Sequence, residues 1–223
     1  MPRTSIADYL ADFRRLGREL AYAERVGYRI RRHTYADVAA LAFRFARELK
    51  GRGIRKGDRI MLWGPNSAAW VAAFFACANR GVVAVPMDHA ASSDFAARVF
   101  HQVGAKLVLS SHDHDLPGSP TLFFEAFETA LQSHSPMPLE PEQSRSSDPL
   151  QIVFTSGTTA DPKGICGTRS ESKERLERGT NGSTKDCPCL SIHVLLWPSC
   201  IRIGERSQQL RAPANTRFST ANS

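Results

Sequence analysis

Ile152-Val153-Phe154-Thr155-Ser156-Gly157-Thr158-Thr159-Ala160-Asp161-Pro162-Lys163-Gly164 joins an apolar run to a loop of hydroxyls, glycines and one lysine. The apolar run, Leu150 to Phe154, predicts a buried strand. Beyond it, Thr155, Ser156, Thr158 and Thr159 present four hydroxyls within five residues. Gly157 and Gly164 allow main-chain N–H groups to approach a ligand closely. Lys163 is a point cation on a flexible stem, one residue after Pro162. Donors, a bendable backbone and a positive charge together make the chemistry of a polyphosphate cradle.

A P-loop would require Gly, four residues, then Gly-Lys-Ser/Thr. Here the lysine precedes Gly164 and isoleucine follows, so that motif is absent. An ordinary surface turn would also favour Ser, Thr, Gly and Asp-Pro. The order of residues is more particular than that. Phe154 through Gly164 resembles the phosphate-binding signature of the adenylate-forming (AMP-binding) synthetases and ligases, which include the acyl-CoA synthetases. That signature runs aromatic-Thr-Ser-Gly-Thr-Thr-Gly-x-Pro-Lys-Gly, and Ala160 stands where glycine is usual. The resemblance implies that Thr155, Ser156, Gly157, Thr158, Thr159, Lys163 and Gly164 serve the β- and γ-phosphates of ATP, with Lys163 neutralising charge and Mg²⁺ bridging the phosphates. It assigns no metal ligand among the protein side chains.

Upstream, Ser5 to Leu16 predicts an amphipathic helix, and Glu19 to His33 a short hairpin around Gly27. Thr34 is placed to cap a helix in which Val38, Leu41, Ala42, Phe45 and Leu49 recur at helical spacing, ending at Gly51 and Gly53. Arg59 to Trp63 predicts a strand. Asn66 is read as the cap of a buried helix, Ala68 to Ala78, which Gly81 stops. Val82 to Val85 predicts a strand closed by Pro86. Phe95 to Val103 reads as helix, Lys106 to Ser110 and Thr121 to Phe124 as strands, and Glu125 to Leu131 as a short helix. Residues 132–149, rich in Ser and Pro, read as a connecting loop. The alternation predicts an α/β fold: a partial parallel sheet with helices on both faces and ligands beyond the carboxyl ends of its strands.

Further stretches resemble the N-terminal landmarks of an acyl-CoA synthetase: Thr34-Tyr35-Ala36-Asp37, Lys56-Gly57-Asp58-Arg59-Ile60, Pro65-Asn66-Ser67 and Gly81-Val82-Val83-Ala84-Val85-Pro86. The resemblance runs over residues 30–165. It implies a domain organisation of 1–165, the N-terminal subdomain of such an enzyme, followed by 166–223, a basic tail rich in Cys, Ser and Arg. The tail is expected to be irregular or disordered, and a reading-frame shift near Cys166 would account for the change of character.

The chain has 223 residues and a net charge of +7. Residues 1–165 hold 20 basic and 17 acidic residues, so more than half of the excess lies in the tail. So do four of the five cysteines, Cys166, Cys187, Cys189 and Cys200. Cys187 and Cys189 lack a second pair at zinc-ribbon spacing and are read as unpaired thiols. No lysine/arginine block with interleaved aromatics supports a nucleic-acid partner. His112 and His114, in Ser-His-Asp-His-Asp, are read as a solvated turn rather than a metal site. The most apolar stretch, Trp70 to Val85, is interrupted by Asn79 and Arg80, so no transmembrane segment is expected and the cytoplasm is the expected location.

The resembled family activates a carboxylic acid, a fatty acid foremost, as an acyl-adenylate at the expense of ATP and passes it to coenzyme A. The family's downstream aromatic-Gly-x-Thr-Glu segment, ribose-binding aspartate and C-terminal lysine have no match here. The resemblance therefore implies a truncated, inactive relative. A small ATP-binding module and a non-catalytic basic interaction protein are the alternatives.

Overall fold

The computed structural model describes residues 5–155 and 162–180. A short 3-10 turn, Ile6–Asp8, leads into α1 (Tyr9–Leu16), followed by the hairpin β1 (Leu20–Val26) and β2 (Arg29–Thr34). Then come α2 (Tyr35–Gly51), β3 (Arg59–Trp63), α3 (Ala68–Arg80), β4 (Val83–Met87), α4 (Ser93–Val103) and β5 (Leu107–Ser110). The described chain finishes with β6 (Thr121–Phe123), a 3-10 turn into α5 (Phe127–Ala130), β7 (Pro149–Thr155), β8 (Lys163–Thr168) and α6 (Arg169–Thr180).

Six strands form one sheet in the order β6-β5-β3-β4-β7-β8, and β1-β2 form a separate ribbon. Every neighbouring pair in the large sheet is parallel except β7–β8. The parallel strands are covered on both faces, so they read as continuous apolar runs rather than alternating ones. Along β3 the side chains divide strictly by period two. Ile60 and Leu62 enter a core with α1, α2 and α3, while Met61 and Trp63 enter a second core with α4.

The larger core is organised by α3, of which only Ala69 and Arg80 are not buried. Its alanines let neighbours approach closely, and its rings anchor them. Phe13 of α1 meets Phe75 edge-on at 5.0 Å and Tyr35 of α2 at 5.1 Å. Gly81 ends α3 in the left-handed region at φ 67°, where any side chain would be strained. At the start of α2, Thr34 and Asp37 form a reciprocal capping box: Thr34 Oγ1 accepts from Asp37 N at 3.2 Å, and Asp37 Oδ2 accepts from Thr34 N at 2.8 Å. Arg59, on β3, ends α4 by donating from Nε to the Val103 carbonyl at 2.6 Å, placing a cation at a helix C-terminus.

Three expectations are corrected. The cap of α3 is Ser67, whose Oγ accepts from Trp70 N at 3.1 Å, whereas the Asn66 carbonyl accepts from Tyr22 Oη. Both residue types cap well, and the sequence ranks them almost equally. Pro86 does not close β4, which continues to Met87. Val83 N donates to Asp58 O on the β3 side, so the donor that Pro86 lacks falls on the β7 side, where β4 pairs only through Ala84 and Gln151. Finally, the beginning of the tail takes regular structure as far as Thr180: the end of β8, then α6. Polar on nearly all sides, α6 offers no apolar stripe to detect. It is seated by Arg169 and Ser172, both buried. Residues 181–223 lie outside the described part of the chain.

The 132–149 connection is a strap fixed by backbone carbonyls. Arg47 donates to Ser135, Met137 and Pro138 carbonyls, and Asn79 Nδ2 donates to Leu139 O. Lys56 bridges Asp148 at 2.7 Å and thereby holds the strap next to the start of β7.

Candidate functional site

The parallel strands deliver Trp63, Met87, Ser110 and Thr155 to one end of the sheet, their carboxyl ends. Beyond the last of these lies the hydroxyl-rich loop. Ser156, Gly157, Thr158 and Thr159 fall outside the described residues, as do Ala160 and Asp161. The frame around them is described. Thr155 is the last residue of β7, Lys163 the first of β8, and the two are register partners across an antiparallel pair. Such partners have Cα atoms about 4.5–5.5 Å apart. The loop therefore leaves a strand and returns antiparallel beside it, so a hairpin closes its base.

Lys163 is exposed on the edge strand and forms no ion pair with any described residue. Its neighbour Gly164 is confined. A Cβ there would meet the Phe154 ring at 2.9 Å and Ile152 Cγ2 at 3.0 Å. The glycine is required by close approach, not by backbone twist: the cross-strand partner Phe154 lies over it. The other end of the loop is tied to α4, where Gln102 Nε2 donates to Pro162 O at 3.1 Å. A shallow recess of about 500 Å³ lies beside this tie, between Pro162 and the Ala97, Arg98 and His101 side of α4.

The other strand ends carry a cluster that the sequence did not bring together. His114 stacks on Trp63 with ring centroids 4.1 Å apart and planes within 5°. Its Nε2 shares a hydrogen bond with His89 Nδ1 at 2.9 Å, one ring donating and the other accepting. Burial, then the neighbouring His89, pushes the His114 imidazole below its ordinary pKa. His112 stacks on Phe123 at 4.3 Å, and its N–H faces the Glu125 carboxylate. The expected solvated turn thus packs against the ends of β3 and β6. Only the topology could add His89, since 25 residues separate it from His114. Among the described residues no three His, Cys, Asp or Glu side chains converge as metal ligands. Trp63 Nε1 and Ser111 Oγ are buried here without a described partner.

An open, mostly parallel sheet with helices on both faces places the chain in the α/β class, whose ligands bind beyond the carboxyl ends of strands. Within that class the assignment is specific. A family model described as "AMP-binding enzyme" matches residues 14–172, most of the chain, and the chain belongs to that family. The match extends past both ends of the region 30–165 that carries the sequence landmarks. The chain is 34% identical over 149 residues to the long-chain-fatty-acid–CoA ligase FadD13 of Mycobacterium tuberculosis, covering 61% of this chain and 30% of that protein. It is 29% identical over 136 residues to a feruloyl-CoA synthase of Amycolatopsis, covering 59% and 27%. Among solved structures it resembles the inhibitor-bound N-terminal domain of FACL13 from M. tuberculosis, with a TM-score of 0.68, 29% identity, and 82% and 49% of the two chains covered. It shares its fold with VinN bound to 3-methylaspartate, with a TM-score of 0.71 at 21% identity, covering 82% and 52%. The chain spans 30% and 27% of the length of these two curated relatives.

Proposed function

We propose that this chain supplies the triphosphate-gripping part of an ATP-dependent acid–thiol ligase, and that alone it binds nucleotide without completing the ligation. The observation carrying this reading is the eleven-residue signature, Phe154 to Gly164, seated at the end of a parallel sheet in a chain that matches the family over residues 14–172.

The charge of Lys163 and the packing of Gly164 support this reading. Lys163 is an exposed cation with no described carboxylate to neutralise it, and Gly164 keeps the edge strand flush with Phe154. The hydroxyls of Thr155, Ser156, Thr158 and Thr159 and the main-chain N–H groups around Gly157 would hold the β- and γ-phosphate oxygens, while Lys163 offsets their charge. These groups orient the chain of phosphates so that a carboxylate can approach the α-phosphorus, a contribution of positioning and fixed donors. Mg²⁺ would be held chiefly through phosphate oxygens and water, as is usual for this ion.

Acid activation also needs groups for adenine, ribose and the acyl chain, and none is identified in this sequence. Groups that act together on one transition state lose nearly all rate when most are removed. A fatty acid is the proposed substrate of the complete enzyme, supported by similarity to the long-chain-fatty-acid–CoA ligase FadD13.

Two measurements test this reading. ATP should bind the chain saturably, and Lys163→Ala should weaken that binding about tenfold or more, the worth of a lost charge-assisted contact. ATP–pyrophosphate exchange with a panel of fatty acids should stay at the level of the Lys163→Ala chain. Binding indifferent to Lys163 would overturn the nucleotide site, and exchange well above that control would overturn the claim of incompleteness.

A further inference from the structure

A cleft of about 440 Å³ is bounded by β2, α2, the start of α3 and α5. Its apolar floor is Val38, Leu41 and Ala68, and its rim carries Arg31, Arg32 and Arg44. Residues 37, 40, 41 and 44 recur at helical spacing, so one stripe of α2 faces the cleft and Arg44 closes one end of it.

The rim charges are unequally committed. Arg31 lies 3.7 Å from Glu128. The Asp37 carboxylate is engaged by Thr34, whose N and Oγ1 both donate to it at the helix cap. His33 is held by Glu24 at 3.0 Å. Arg32 and Arg44 have no ion pair or side-chain hydrogen bond with any described residue, and Arg44 Nε is fully buried with no acceptor. A buried guanidinium N–H without an acceptor is costly, because it has given up water and gained nothing.

We propose that this cleft is a binding site for an organic anion, a phosphate monoester or carboxylate head on an apolar body. The guanidiniums of Arg44 and Arg32 take the head, whose oxygens match their planar donors. The Val38, Leu41 and Ala68 floor takes the body. The cleft is too large for a bare inorganic anion to fill, and its floor rejects one made only of polar groups. No residue of 155–164 is among its described lining, and the proposal does not depend on the proposed function.

The test uses the full chain and three eight-carbon probes kept below micelle formation: octyl phosphate, octanoate and octanol, each followed by NMR shifts of backbone amides. At least one anionic probe should saturably shift amides of residues 31–44 and bind about tenfold or more tighter than octanol, and the tighter of the two anions names the head group. Arg32→Gln with Arg44→Gln should weaken that probe about tenfold, whereas Lys163→Ala should leave it unchanged. Equal binding of octanol, shifts confined to other regions, or full affinity in the folded double variant would each overturn the proposal. The comparison of probes is made on the unaltered chain, so it decides the matter even if the double variant fails to fold.

Discussion

Strands β3 and β8 belong to one sheet and obey opposite rules. In β3, Ile60 to Trp63 are buried on both faces, and the strand is flanked on each side by parallel partners. Among the described residues, strand β8 is an edge, antiparallel to β7, with Lys163 to Cys166 exposed and Ile165 65% accessible. The first is fixed by what it excludes from water; the second, among the described residues, is open on one side. If Lys163 serves a nucleotide as proposed, substitutions in the two strands should divide between stability and binding.

The largest loss of stability should come from the core that serves β3. Phe75→Ala removes a fully buried ring packed against Phe13 and Tyr9, and should cost about 3–5 kcal/mol by denaturant unfolding. A cost below that of a surface change would break the contrast at its strong end. Gly164→Val probes the boundary, since its branched carbons must displace the Phe154 ring; overpacking of this kind should cost about 1–3 kcal/mol. If unfolding midpoints do not move, Phe154 is not held over β8. Thr34→Ala removes the capping box of α2 and should cost about 0.5–2 kcal/mol, read in the same way.

Acid provides a smaller and directional effect. The His114 pKa is lowered in the fold from its ordinary 6.5, first by burial, so the unfolded chain takes up the proton more readily. The stability it contributes is complete above the ordinary value and is lost as pH falls through it. Thermal midpoints of His114→Gln should accordingly decline less between pH 7.5 and pH 5 than those of the unaltered chain; parallel declines would show that His114 carries none of the dependence. The smallest effect belongs to β8: Lys163→Ala should change unfolding free energy by less than about 0.5 kcal/mol, as for other exposed positions, while weakening ATP binding. A large destabilisation would erase the division between the two strands.

Much of the architecture is legible along the chain because local and tertiary preferences agree. The cap at Thr34, the stop at Gly81 and the apolar runs of β3, β4 and β5 each have a local cause that packing then rewards. Where the expectation failed, two local choices were nearly equal, as with Asn66 and Ser67, or a neighbour was needed to judge the cost, as with Pro86. Helix α6 escaped because its burial rests on Arg169 and Ser172 rather than on an apolar stripe. The guanidinium of Arg169 donates to Ala78 O at 2.9 Å, on the last turn of α3. Of the candidate site, the signature residues were visible from their order alone, whereas the His89–His114–Trp63 stack was not, because it joins the ends of three strands.

The sequence by itself determined the family and the α/β alternation, because those follow from residue type and spacing. Tertiary structure decided which ends of the strands meet, that the loop's base closes as a hairpin with Lys163 opposite Thr155, and that Arg32 and Arg44 share the rim of one cleft. These depend on strand order and on contacts between residues far apart in the chain, and no local pattern carries that information.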